Sequence, residues 1–120
     1  MSHDTQWAEA RARARQNRHD FTDTLKGHGV TGRGYMQCTD IVYTEIIGGR
    51  AYQVRISKGL PPKANLRDHL DGVELSAIML AEALAARRIE AEMLLGNAAC
   101  MKVAALCARH VACVINQIDE

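Results

Sequence analysis

The stretch Cys107-Ala-Arg-His110-Val-Ala-Cys113 holds the densest set of soft ligands in the chain, so a metal is the first chemistry to consider. On a helix Cys107 meets His110 and His110 meets Cys113, but the two thiols point well apart. Three ligands from one helix do not converge on a tetrahedron, and no second ligand cluster stands elsewhere to complete one. The better reading is small buried hydrophobes, a common fate of free cysteine. Asp68-His69 looks like half of a catalytic relay, yet adjacent helical residues do not face each other. Glu82 has Arg87 and Arg88 one to two turns further on, a spacing that suits a structural salt bridge or a polar contact across a dimer. There is no G-x-S-x-G, P-loop, dinucleotide-binding glycine pattern or H-E-x-x-H, and Gly32-Arg33-Gly34 is too short to cradle a phosphate. The expectation is no catalytic residue, no metal ligand and no cofactor.

The cations carry more information. Arg11, Arg15 and Arg18 share a stripe near the N-terminus, with Arg13 elsewhere, and Arg50, Arg55, Lys58, Lys63 and Arg67 lie in an acid-free run from 50 to 67. A row of arginines on one helix can track a nucleic-acid backbone; it can also be a solvated face. No aromatic interleaves this row, and the 15 basic and 14 acidic residues nearly cancel. Two candidate surfaces result. Arg11, Arg13, Arg15, Arg18, Arg50 and Arg55 are candidates for nucleic acid. Lys58, Lys63, Arg67, Asp68 and His69 are candidates for a protein partner, with a plain capped connector as the alternative.

The elements that must position these residues are punctuated clearly. At 120 residues the chain is expected to form one domain, with 1–4 frayed. Thr5 can cap an Arg-bearing helix to about Leu25, with Trp7, Ala10, Ala14, Phe21 and Leu25 on its apolar stripe. Pro61-Pro62 ends whatever precedes it. Asn65, with Asp68 three residues on, and Asp71, with Glu74 three residues on, are successive N-cap signatures. They predict a short turn (66–70) and then a long helix that is the spine of the fold. Two apolar stripes are expected on that helix, Leu75/Met79/Ala86/Met93 and Ala77/Leu80/Leu84/Ala91/Leu95. Gly96-Asn97 turns the chain into a final apolar helix over about 98–118, giving an antiparallel hairpin. Its outer face calls for cover, from the rest of the chain or from a second subunit, and a homodimer is the expectation.

Residues 35–56 fit two patterns. The run from Ile41 to Ile47, Gly48-Gly49, and then Tyr52, Val54 and Ile56 in alternation reads as a β-hairpin. A helical stripe Tyr35/Thr39/Val42/Ile46, with Gly48 as the C′ residue and a short helix to Ser57, is equally coherent. The four cysteines form no C-x-x-C pair and no apolar signal segment follows the N-terminus, which suggests reduced thiols in the cytoplasm. Ala98–Ile115 is short for a membrane span, and Lys102 and Arg109 inside it would each cost about 2.5–3.5 kcal/mol at a bilayer centre.

The order Tyr35…Ile41-Val42-Tyr43…Gly48-Gly49…Lys58-Gly59-Leu60…Asn65-Leu66-Arg67-Asp68-His69-Leu70…Glu74-Leu75…Leu80-Ala81-Glu82-Ala83 resembles the C-terminal region of the DNA-damage-inducible protein D (DinD) group, and similar segments occur in phage Bro-type antirepressors. The resemblance covers about half the chain, 29–92. It implies a mainly helical region, which moves 35–56 towards helix and the whole towards a small all-α bundle, with α+β (a hairpin at about 41–56) as the alternative. It also implies non-catalytic action through protein contacts, on a recombinase or repressor, in a DNA-damage or mobile-element system. The N-terminal Bro-type or DNA-reading domain of the larger relatives has no counterpart in this sequence. Direct nucleic-acid binding, and inhibition of a host defence complex by a phage or plasmid protein, are the alternatives.

Overall fold

In the computed structural model, which describes residues His3 to Asp119, every regular element is helical. The order is α1 (His3–Gly27), α2 (Gly34–Ile47), α3 (Ala51–Ser57), a 3-10 turn (Leu66–His69), α4 (Gly72–Glu92) and α5 (Asn97–Asp119). The fold is all-α, and the hairpin alternative for 41–56 is overturned. Its β-branched residues are accommodated because Thr39, Val42 and Tyr43 lie on one buried face of α2, which packs on α5. Helical spacing there removes more apolar surface from water than alternation on an isolated hairpin would. Gly48 ends α2 at φ 87°, a left-handed conformation that glycine adopts without strain.

The start of the chain differs from expectation. α1 begins at His3, two residues before Thr5; Met1 and Ser2 lie outside the described residues. Ala14, Phe21 and Leu25 of its apolar stripe are buried, while Trp7 is exposed. Downstream, the two cap signatures form as expected. The Asn65 side chain accepts from the Arg67 N–H at 3.1 Å. Asp71 accepts from the Glu74 N–H at 2.7 Å, and the Glu74 carboxylate accepts from the Asp71 N–H at 3.1 Å.

α4 is the spine in the sense that α1, α2 and α5 all pack on it. The stripe it buries is different from either expected one. Ala77, Ile78, Ala81, Glu82, Ala85 and Ile89 line a single face, whereas Leu80, Met93 and Leu95 are exposed. Alanine on the inner face lets helix axes approach, and the longer residues Leu75 and Leu84 fill the flanks. α4 also stops three residues early. Met93, at φ 50°, occupies the left-handed cap position, with Leu94 N–H donating to the Ile89 carbonyl.

Two loops are stitched together at this end. The Gly96 N–H donates to the His28 carbonyl at 2.8 Å, and the Asn97 amide both accepts from Thr31 N–H and donates to Thr31 carbonyl. A Cβ on Gly34 would stand 2.4 Å from Asn97 Oδ1, so a larger residue there would push the Asn97 amide off Thr31.

α5 packs on both α4 and α2 through Cys100, Val103, Ala104, Cys107, Ala108 and Val111, leaving Lys102, Arg109 and His110 exposed. By length and composition alone Asn97–Ile118 could cross a membrane. An outer apolar face does remain. Val73, Leu80, Val114 and Ile118 are exposed, and a groove of about 490 Å³ runs between α4 and α5. The homodimer expectation rests on this face. Sedimentation velocity should show a dimer that Leu80→Glu converts to monomer; a monomer at all concentrations would remove that expectation.

Candidate nucleic-acid interface

A cleft of about 590 Å³ is lined by α1 and α2, with α3 and the 3-10 turn contributing further residues. Helical spacing on α1 brings Arg11, Arg15 and Arg18 to one side, α3 adds Arg55, and the turn adds Arg67. Four of the six arginines assigned above to nucleic acid therefore converge; Arg13 and Arg50 do not line this cleft. Of the residues assigned to a protein partner, Arg67 and Asp68 enter the cleft, while Lys58, Lys63 and His69 stay exposed outside it. Lys58 lies 4.0 Å from Glu74.

The aromatics that the arginine row lacks come from other elements. Tyr35, Tyr43 and Tyr52, all three tyrosines of the chain, line the same cleft. They were missed as site residues because Tyr35 and Tyr43 read as apolar positions of α2 and Tyr52 lies beyond the Gly48-Gly49 break, on α3. Their crowding into 35–52, overlapping the acid-free run, is the sequence feature that could have revealed them.

Arg67 lines the cleft but is almost wholly buried. Its side chain is 9% exposed, and its Nη2 donates to both oxygens of Glu82, at 2.8 and 2.7 Å; Glu82 is itself fully buried. Arg67 Nε donates to the Tyr43 hydroxyl at 3.1 Å, and the guanidinium carbon sits 5.7 Å from the centre of that ring. Burial opposes the charge on Arg67, but the Glu82 carboxylate and Tyr43 outweigh it, and the pKa is raised from its ordinary value. Asn17 also donates to Glu82, at 3.0 Å, and Arg18 Nη1 lies 3.8 Å from it. Glu82 does form a structural salt bridge, but its partners are Arg67 and Arg18. Arg88 instead pairs with Glu92.

The two acids lining the cleft are engaged. Asp40 accepts from the Ala51 N–H at 3.0 Å, starting α3, and Asp68 pairs with Arg11 at 3.3 Å. Arg55 Nε donates to the Ala64 carbonyl, which holds the connector against the cleft. Five arginines against Asp40, Asp68 and the underlying Glu82 leave a surplus of two positive charges.

Elsewhere, the Cys107–Cys113 stretch is split, with Cys107 buried and Cys113 exposed; among the described residues no group of three or more His, Cys, Asp and Glu is placed to hold a metal. Burial pushes the Cys38 thiol up to about 11, with Cys100 adding to the shift and Arg18 opposing it. Cys100 and Cys107 are raised by burial as well. Native protein at pH 8 should therefore react with a thiol reagent at one fast site, Cys113, and at the other three only on unfolding.

No protein-family model matches the sequence, and no curated protein matches it.

Proposed function

We propose that the protein is a non-catalytic binding module whose arginine and tyrosine cleft takes single-stranded nucleic acid. The observation that carries this reading is the convergence of Arg11, Arg15, Arg18, Arg55 and Arg67 in one cleft with two accessible tyrosines, Tyr35 and Tyr52, beside the buried Tyr43. Sequence-tolerant single-strand binding needs this pairing, cations along the backbone and aromatic faces on which bases stack. The resemblance to DinD and Bro-type proteins supports a setting in DNA-damage or mobile-element regulation, in the cytoplasm, where the bound strand would be shared with a recombinase or repressor. A separate protein contact through Lys58, Lys63 and His69 is compatible with their exposure beside the cleft.

Fluorescence anisotropy with a short labelled oligonucleotide tests the reading. Affinity should fall with salt, with a log–log slope of about −2 to −3 if three to four phosphates are neutralised, at roughly −0.7 per phosphate for single strands. Replacing Arg11 and Arg15 with alanine should weaken binding and flatten that slope, while Arg13→Ala should leave both unchanged. Absence of binding at low salt removes the proposal.

A further inference from the structure

Two guanidinium nitrogens, Arg18 Nη1 and Arg67 Nη1, are buried without a hydrogen-bond partner among the described residues. Leaving a buried donor unmade is costly, and more so for a charged group. Both belong to residues lining the cleft, and both guanidiniums are gathered around the same carboxylate, Glu82. Glu82 cannot neutralise two cations. Its oxygens are already occupied by Arg67 Nη2 and Asn17. Arg67 cannot turn away to solvent, because Glu82 and Tyr43 fix its other nitrogens.

The site thus brings together two N–H donors that lack a hydrogen-bond partner, one on Arg67, which Glu82 and Tyr43 hold, and one on Arg18, which lies 3.8 Å from Glu82, with a surplus of two positive charges around them. A phosphodiester carries one negative charge, and a terminal phosphomonoester carries close to two at neutral pH. Charge balance favours the terminal group, and arginine forks match its oxygens. The cleft volume lies within the range of small-ligand pockets, and tyrosine walls offer stacking for the adjoining base. We propose that Arg18 and Arg67 seat the terminal phosphomonoester of a nucleic-acid strand, so that the module recognises phosphorylated ends. This inference rests on the single-strand reading and narrows it.

One oligonucleotide prepared with a 5′-phosphate, a 3′-phosphate or hydroxyls at both ends separates the possibilities by anisotropy in chloride buffer. One phosphorylated form should bind about tenfold tighter than the hydroxyl form, the gain expected from a charge-assisted hydrogen bond or more. Millimolar inorganic phosphate should erase that advantage. Arg18→Ala should abolish the preference with little change in melting temperature, since Arg67 and Asn17 still hold Glu82. Tyr52→Ala, at a half-exposed ring, should weaken all three forms alike. Equal affinity for all three forms would overturn end recognition and leave single-strand binding standing. Failure of the hydroxyl form alone would support the phosphoryl site and remove general single-strand binding. A phosphoserine peptide that displaces the phosphorylated oligonucleotide at lower concentration than inorganic phosphate would overturn the nucleic-acid assignment.

Discussion

Glu82→Ala is expected to destabilise the protein by about 3–5 kcal/mol, the usual cost of stripping one partner from a buried ion pair. The carboxylate is fully buried, and Arg67, at 9% exposure, would be left with an uncompensated charge in the interior. Stabilities of small domains run to about 5–15 kcal/mol, so the loss is a large fraction of the whole. Urea denaturation should show the midpoint falling sharply with little change in slope. Replacing both partners, Glu82→Leu with Arg67→Met, should restore most of the lost stability, because an apolar pair owes no desolvation penalty. The double variant should also lose oligonucleotide binding while folded, which separates the structural role of the pair from what it presents to the cleft. A single Glu82→Ala variant as stable as the parent would mean that the pair does not organise this part of the fold.

The second large effect is expected on the buried alanine stripe of α4. Ala85→Leu adds three carbon atoms at a position with no exposure, on the stripe that also carries Ala81 and Ile89. Overpacking of this kind costs about 1–3 kcal/mol. Ala83→Leu, on the exposed side of the same helix, should stay within about 0.5 kcal/mol of the parent. Equal tolerance at both positions would contradict close packing along α4.

These two positions also show how far the sequence could be read. The helices were legible because their ends are written in local chemistry: Gly48, Pro61-Pro62, the Asn65 and Asp71 caps, and Gly96. Length and order followed from those signals. Which face of α4 turns inward did not, because leucine draws attention in a pattern while alanine decides how near two helices come. Helix against hairpin at 41–56 was likewise undecidable from periodicity, since the same β-branched residues suit both. Burial of Thr39, Val42 and Tyr43 along a helix that packs on α4 and α5 settled it.

The cleft was half legible. One helix brings Arg11, Arg15 and Arg18 together, and that spacing is visible in the chain. Arg67 looked like surface because its partner, Glu82, is fifteen residues away on another element, and burial of a charge depends on such a partner. Sequence proximity suggested Arg87 and Arg88 for Glu82, yet α4 turns them away from it. The tyrosines reach the cleft from α2 and α3, so their convergence exists only in three dimensions.

Photo-crosslinking of a 5-iodouracil oligonucleotide, followed by mass spectrometry of the joined peptide, reads the binding surface most directly. Crosslinks should fall on Tyr35 or Tyr52 and disappear when Arg11 and Arg15 are replaced together. Crosslinks confined to the α4–α5 groove, or none above the level of a non-binding control protein, would contradict the assignment of the cleft.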